Sequence, residues 1–512
     1  KKVFDRLRRD SVEFEQYFIR AHGQRSLEEA ARSKPNSGRQ GTVDPLQLSI
    51  REVLSRPPVQ LPSTTSIRVA AQKMSEEKVS SILLVDDGAL VGILTDRDLR
   101  NRVVASGLSY DLHVNAVMTQ APATVYGRQT LIDALTTMTQ NNIHHLPVLD
   151  DDGQPLGMIT NTDLMRQQRS EPVMLMSALN KTNSRAQLVE EARQIPAYMQ
   201  TFAARAANTT VVGRLLASLT DTMTRKLIDF YEQEHGVAPA SYAWIAFGSQ
   251  GREDQTLSSD QDNGLLLADD LNERQRAWFQ GLGEWVCEGL GDCGIPLCPG
   301  NIMASNEDCR RSVGGWLERF TRWTESPTPK ALMYCQIFFD SRLVVGHKRL
   351  YQRYREAVAQ LGKNEFFLGN LARLQRNVQV PLGLFNRFRG TESGKDSDLI
   401  DIKRYGIALI NDIVRIYSLQ AGLTQPQTLT RLEQLRDSRL LNRRDNQSLA
   451  EAWQFLTQLR LQHQLEIWGT EQPKNALDPD QLSTLVRRQL KSAFRIIDEC
   501  QQGVAMKFGR SG

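Results

Sequence analysis

Cysteine is scarce in this sequence. Six occur in 512 residues, at Cys287, Cys293, Cys298, Cys309, Cys335 and Cys500, and none forms a Cys-x-x-Cys pair. Four of them fall between Cys287 and Cys309, but their spacings do not fit the usual structural zinc sites. They read as free thiols, and a reducing, cytoplasmic location is expected. No run approaches the ~18 consecutive apolar residues of a membrane span, and no stretch reads as a signal peptide. Charge of one sign is also lacking. A net charge of +4 is small for this length, so nucleic acid is not the expected partner, although a local basic patch is compatible with it. Apolar residues, at 40%, suffice for ordinary cores, and the length suggests about three or four domains. The chain begins at Lys1 rather than Met, so it is expected to be part of a longer protein.

What is present centres on residues 244–268, WIAFGSQGREDQTLSSDQDNGLLLA. An apolar run from Tyr242 to Phe247 stops at Gly248-Ser249. A polar segment follows, and Asp260-Gln261-Asp262 leads into a second apolar run, Leu265 to Ala268. The pattern predicts strand, glycine-containing turn, short helix or loop, then strand. On a strand, Asp260 and Asp262 would project to one side, about 7 Å apart along the chain. Two such carboxylates suit Mg²⁺, which keeps positions open for substrate phosphates. Gly248 would let the backbone approach a phosphate, and Ser249 would offer a hydroxyl and an N–H. These are parts of a device for metal-assisted transfer at phosphorus. A lone Asp-x-Asp is more often a solvated turn, and a lone Gly-Ser is usually only a turn. Their combination between two apolar strands is much rarer.

The Gly-Ser pair, a spacer of about ten residues and Asp-x-Asp resemble the signature of the nucleotidyltransferase superfamily typified by DNA polymerase beta. The wider string GSQGREDQTLSSDQDNGLLL is similar to a branch resembling PII uridylyltransferases, whose members follow CBS modules in bacterial signalling proteins. The resemblance implies a small mixed sheet with flanking helices and a helical domain behind it.

Residues 50–169 contain an internal repeat. SIREVLSRPPVQL pairs with HVNAVMTQAPATV, SSILLVD with HHLPVLD, and GILTDRD with GMITNTD, at a period of about sixty-four residues. Leu54 thus matches Met118, Pro58 matches Pro122, and Met74 matches Met138. The segment resembles a tandem CBS pair, or Bateman module. Gly92 and Gly157 are expected to open the third strand of each copy. Thr95 and Thr160 would lie at the strand-to-helix turn, where a hydroxyl and helix-start N–H groups favour phosphate. Asp98 and Asp163 would accept from ribose hydroxyls. In the family this Gly-x-x-Thr-x-x-Asp pattern binds adenosine nucleotides, which implies ATP, ADP or AMP as ligand. The alternative is that Thr and Asp only cap the following helix. The pair His144-His145 reads as wall or surface rather than a metal site.

The remaining segments give weaker signals. Residues 1–31 read as an amphipathic helix resembling the closing helices of a cyclic-nucleotide-binding domain, and 33–45 as a linker. Leu188, Ala192, Ile195, Met199, Phe202 and Ala206 form a heptad-like seam, which Pro196 is expected to kink or interrupt. Leu216, Leu219, Met223, Leu227 and Phe230 continue a similar stripe. This stretch reads as a hairpin packed on its neighbour, or as a coupler. Residues 272–291, 310–323 and 328–335 are predicted helical, and 295–305 a strand and loop in which Asn301 either lines the site or forms a turn. Asp340 is either a third carboxylate or a surface residue paired with Arg342. From Arg349 to Phe508 helical spacing dominates. Asp401-Ile402-Lys403 is similar to the Asp-Leu-Lys segment of uridylyltransferases, which would let Lys403 reach a triphosphate; a solvated helix start is the alternative.

The sequence therefore predicts an α+β multidomain protein. Its expected parts are a helical tail with linker (1–49), a tandem CBS pair (50–170), a helical connector (171–236), a polymerase-beta-like nucleotidyltransferase domain (237–348) and a C-terminal helical bundle (349–512). The expected activity is Mg²⁺-dependent transfer of a nucleoside monophosphate from an NTP to an acceptor, by resemblance a regulatory protein. Asp260 and Asp262 would be the catalytic and metal-binding residues, with Asp340 as a further metal candidate. Gly248, Ser249 and Lys403 would hold nucleotide, with Arg252 as a nucleotide-binding residue that either contacts phosphate or orients the site. A homodimer formed through the CBS pair is expected. The competing reading is a nucleotide-sensing interaction protein whose transferase fold is silent.

Overall fold

The computed structural model describes residues 49–54, 57–160, 171–206, 208–383, 388–389 and 399–509. The helix expected over 1–31, the linker over 33–45 and Asp163 lie outside the described residues.

The repeat folds as two copies of one pattern. The first holds β1 (Gln60–Leu61), α1 (Ile67–Glu76), β2 (Ser81–Asp86), β3 (Ala89–Thr95) and β4 (Thr119–Gln120). The second holds β5 (Val125–Tyr126), α2 (Leu131–Asn141), β6 (His145–Leu149) and β7 (Pro155–Thr160). In each, the first strand pairs parallel with the second, and the second antiparallel with the third. Helix α1 starts where the Ser66 hydroxyl accepts from Val69 N and buries Ile67, Ala70 and Met74, a spacing of three and four that keeps one face apolar.

The two copies exchange their leading segments. Ile50 N donates to Gln129 O, and Val114 N to Thr65 O. Ile50 and Val53 therefore enter the core of the second copy, while Val114 and Val117 enter that of the first. Gly92 and Gly157 lie inside β3 and β7 rather than opening them. A Cβ on Gly92 would sit 2.5 Å from Met118 Sδ, and one on Gly157 2.4 Å from Leu54 Cδ2. The repeated Leu54/Met118 and Gly92/Gly157 positions are thus one contact made twice: each glycine makes room for the exchanged segment.

Helices α3 (Glu171–Lys181), α4 (Arg185–Ala192), α5 (Ile195–Arg205) and α6 (Thr209–His235) follow. The seam residues Leu188, Ala192, Ile195, Met199, Phe202 and Ala206 are all buried, as is the α6 stripe of Leu216, Leu219, Met223, Leu227 and Phe230. Pro196 does not kink a helix. The chain leaves α4 at Ala192 and restarts at Ile195, placing Pro196 in a first turn, where its missing N–H costs nothing.

The next sheet has the order β10-β9-β8-β11, built from β8 (Tyr242–Ala246), β9 (Asn263–Leu267), β10 (Arg310–Ser312) and β11 (Arg342–Gly346). Pairing is antiparallel for β8 with β9 and with β11, and parallel for β9 with β10. Strand alternation sorts two cores. Trp244, Ala246, Leu265 and Leu267 enter one, and Ala243, Ile245, Phe247 and Leu266 the other. Both faces are covered, which explains why the strands read as continuous apolar runs. The first of these cores is continuous with that of the second CBS copy through α6. Between the strands lie α7 (Gly248–Arg252), α8 (Glu273–Asp292), α9 (Val313–Glu325) and α10 (Pro329–Phe338). Residues 295–305 form a loop rather than a strand, and 310–312, expected to be helical, form the edge strand β10.

The C-terminal part comprises α11 (Lys348–Leu361), α12 (Glu365–Arg376), α13 (Ala408–Gln420), α14 (Thr428–Leu435), α15 (Arg443–Glu466) and α16 (Thr484–Phe508). A short antiparallel ribbon of β12 (Ile400–Asp401) and β13 (Ala476–Leu477) interrupts the helices. Among the described residues no helix is long and apolar enough to cross a membrane.

Candidate functional site

Strand β8 delivers the chain to Gly248, and α7 carries it to Glu253, a left-handed residue with φ +61°. A loop then returns it through Asp260 and Asp262 to β9. The two aspartates precede the strand rather than lying on it. The ladder nevertheless reaches them, because Phe247 N donates to Asp262 O at 2.8 Å. Alternation persists as well. Gln261 and Asn263 turn inward and are 1% exposed. Gln261 Nε2 donates to the carbonyls of Cys287 and Ile295, and Asn263 Oδ1 accepts from Ala304 N. Asp260 and Asp262 take the opposite side and keep partial solvent contact.

Gly248 has φ +54°, and a Cβ there would lie 2.7 Å from Asp262 Oδ2. The Gly-Ser turn and the second aspartate are therefore in contact. The loop 295–303 covers the other side: Gln261 N donates to Pro296 O and Asn263 N to Ile302 O. This places Cys298 so that its thiol donates to Asp262 Oδ1 at 3.3 Å. Burial first, and the charge of Asp260 second, push the Asp262 carboxyl up to about 7; Cys298, Lys403 and Arg252 act against that rise. Burial likewise holds the Cys298 thiol up at about 11, which makes it a poor nucleophile. Asn301 sits in a left-handed turn with φ +55° and is exposed, so of its two readings the structure supports the turn.

Lys403 comes from the far wall. The β12–β13 ribbon and the Ile402 N to Asn475 O bond hold the segment that opens α13. Its side chain reaches solvent, yet surrounding protein and Arg460 lower its pKa while Asp260 and Asp262 raise it. The structure thus sets Gly248 against Asp262, with Ser249 next in the same turn and with Asp260 and Lys403 near enough for their charges to act on Asp262; these residues outline the candidate cleft.

Asp340 is a correction. It is neither a surface residue paired with Arg342 nor an available metal ligand. It is fully buried, and its oxygens accept from Arg252 Nη1 (3.0 Å), Arg415 Nε (3.1 Å) and Nη2 (2.5 Å), and Arg431 Nη1 (2.6 Å). Burial alone would raise its pKa, but these arginines together hold it far below the carboxylate range. Arg252 is committed too. Its other two nitrogens donate to Asp254, which leaves it the orienting role rather than phosphate binding. Arg342 turns instead to Asp221, a wholly buried residue of α6 that also accepts from Gln250 Nε2 at 2.9 Å. Helix α7 is therefore pinned at Gln250 by Asp221 and at Arg252 by Asp340. Among the described residues, no group of three or more His, Cys, Asp or Glu is arranged to hold a metal ion. A cavity of about 650 Å³ lies between α14 and α15, but shares no lining residue with this cleft.

In the first CBS copy Thr95 and Asp98 form a capping box: Thr95 N and Oγ1 donate to Asp98 Oδ2, and Asp98 N donates to Thr95 Oγ1. Arg102 pairs with the other oxygen of Asp98 at 3.3 Å. Thr160 ends β7. His145 Nε2 bonds Ser80 Oγ across the two copies at 2.8 Å, consistent with a wall residue.

Comparison with known proteins follows this layout. Residues 50–105 and 114–170 match the CBS domain family. A CBS domain-containing protein of Dictyostelium discoideum is 30% identical over 131 residues, covering 23% of this chain and 90% of that one. The chain belongs to the CBS domain-containing proteins. Residues 193–330 of this CBS domain-containing protein match the family "Putative nucleotidyltransferase DUF294", and 365–508 match "Putative nucleotidyltransferase substrate binding domain". It thus joins a CBS pair to a nucleotidyltransferase-type domain and its companion C-terminal domain. A CBS domain-containing protein of Arabidopsis thaliana is 34% identical over 131 residues, 25% of this chain and 23% of the relative, so the chain spans about a quarter of that relative's length. Among solved structures, a CBS domain protein from Pyrobaculum aerophilum complexed with AMP is 27% identical with a TM-score of 0.22, covering 28% of this chain and 99% of that one.

Proposed function

We propose that this protein transfers a nucleoside monophosphate from an NTP to an acceptor, under the control of an adenine nucleotide bound to its CBS pair. The observation that carries the reading is the contact of the Gly248 turn with Asp262, facing Lys403 across one cleft, inside a domain matched to a nucleotidyltransferase family. In the reaction, a nucleophile of the acceptor forms a bond to the α-phosphorus as the bond to pyrophosphate breaks. Lys403 attracts the triphosphate, Gly248 gives it room against the backbone, and Ser249 offers a donor. Asp221 and Asp340 keep α7 in place through Gln250 and Arg252.

The donor set fits Mg²⁺. Two neighbouring carboxylates, one of them lifted to about 7 first by burial and then by the charge of the other, gain from a shared cation, and Mg²⁺ accepts one or two carboxylates with phosphates completing its shell. Asp260 and Asp262 would hold it, and it would neutralise charge on the triphosphate.

Asp98 supports the sensor role, with a cost: a ribose hydroxyl must share an oxygen already bonded by Thr95 or Arg102. Thr160 and Asp163 would serve in the second copy. The apolar side chains of Val69, Tyr110 and Leu112 are exposed on the first copy, where Ile67 N and Arg68 N bond the 110–112 loop. They supply a face for a homodimer. A regulatory protein is the acceptor class favoured by resemblance to PII uridylyltransferases, and a cytoplasmic setting fits six free cysteines.

One observation favours a second reading, a nucleotide-sensing interaction protein without turnover: Asp340, the third carboxylate candidate, is sequestered by arginines. Incubating the protein with each α-labelled NTP, Mg²⁺ and a cell extract decides between them. A labelled product lost in Asp262→Asn is expected; no labelled product with any NTP would favour the silent reading.

A further inference from the structure

Where the second CBS copy meets the cleft, a chain of charges runs between them. Asp133, in the first turn of α2, uses Oδ2 to accept from Thr130 N and Oγ1, capping its own helix. Its other oxygen accepts from Arg214 Nη1 on α6 at 2.5 Å. The same guanidinium places Nε 3.9 Å from Glu253 Oε2. Glu253 is the left-handed residue that ends α7. Its carboxylate also lies 3.4 Å from Arg342 Nε and accepts from Gln427 Nε2. Arg342 in turn holds Asp221 and the carbonyl of Gln250.

Backbone packing reinforces the route. A Cβ on Gly213, next to Arg214, would lie 2.7 Å from Glu253 O and 2.9 Å from Asp254 Cα. Helix α6 therefore rests directly on the turn that closes the Gly-Ser helix, and a small movement of α6 has no slack to absorb it.

We propose that Arg214 is a positioning residue that ties Asp133 of the second CBS copy to Glu253, so that the arrangement of the CBS pair sets the geometry of the Gly248–Arg252 helix. The tie differs from the buried seam of Leu188, Ala192, Ile195, Met199, Phe202 and Ala206, whose members pack within one apolar core. Only a CBS ligand that favours one placement of α2 over another shifts the cleft through this tie. The nucleotide part of the inference rests on the cleft being an NTP site; the positional part does not.

The test uses the full chain. Arg214→Met removes the charge while keeping length, Asp133→Asn keeps a capping oxygen while breaking the ion pair, and Arg214→Lys restores the charge. Two quantities are measured at equal melting temperature. One is amide hydrogen exchange over 248–253. The other is affinity for each Mg·NTP with and without AMP. Both charge-removing variants are expected to speed exchange at 248–253 and to abolish a ratio of NTP affinities, with and without AMP, of about fivefold or more. Lysine recovers part of each. Exchange at 248–253 equal to wild type in both variants overturns the proposal. Faster exchange with no NTP bound by any form supports the positional tie and overturns the nucleotide reading instead.

Discussion

Gly248 and Asp262 touch: a single methyl group on Gly248 would come within 2.7 Å of the Asp262 carboxylate. Two motifs separated by a dozen residues therefore act as one surface, and the turn has no room for any residue but glycine. Gly248→Ala combines that clash with a φ of +54°, where a side chain costs about 1–2 kcal/mol. We expect a modest fall in melting temperature and loss of nucleotide binding in equilibrium titration. Retained binding would separate the turn from the site.

The Asp262 carboxyl gives a pH prediction. Its folded pKa, about 7, lies above the ordinary 3.8, so the folded protein holds a proton that the unfolded chain releases. Stability without metal is therefore unpenalised below about pH 4 and falls as pH rises from there through 7. Asp262→Asn removes that loss. The full rise corresponds to about 4 kcal/mol, and partial solvent contact reduces the expected gain to about 1–3 kcal/mol at pH 8. Denaturant unfolding at pH 5 and pH 8 checks it: the variant's advantage must grow with pH. Mg²⁺-dependent binding should strengthen over the same window.

Asp340 separates a structural role from a metal-binding one. Asp340→Asn leaves Arg252, Arg415 and Arg431 buried with a neutral partner, and breaking a buried ion pair costs about 3–5 kcal/mol. Chemical denaturation should show that loss. A variant of normal stability with only its metal response impaired would restore Asp340 to the metal site.

The exchanged segments of the CBS copies can be tested as a pair. Gly157→Ala puts a methyl against Leu54, and Leu54→Ala makes space for it. The double variant should be more stable than the sum of the single effects predicts, by about 0.5–3 kcal/mol in a thermal double-mutant cycle. Strict additivity would mean that Leu54 does not pack on Gly157.

These residues also mark what the sequence discloses. The Gly-Ser to Asp-x-Asp spacing is local, and strand alternation reports it directly. The repeat is legible because its two copies share a period, but the exchange of leading segments is not, since Leu54 and Gly157 could equally have belonged to separate copies. The Asp340 node joins positions 252, 340, 415 and 431, and no periodicity links charges so far apart. Cys298 was legible only as a free thiol, because the backbone bonds of Pro296 and Ile302 bring it to Asp262. The same holds for Asp221 and Gln250, polar residues whose burial alone reveals a purpose. Residues 310–312 carry two arginines and look helical; pairing with β9 overrides that local preference.

The central claim is that Asp260 and Asp262 form a Mg²⁺-dependent nucleotide site. Titration calorimetry of the full chain with each NTP, in Mg²⁺ and again in EDTA, tests it most directly when repeated on Asp260→Asn/Asp262→Asn. The AMP-saturated protein serves as background so that the CBS pair is already filled. At least one NTP should bind the wild type in Mg²⁺, and binding should vanish in EDTA and in the double variant while the melting temperature holds or rises. Equal binding by wild type and double variant would contradict the account.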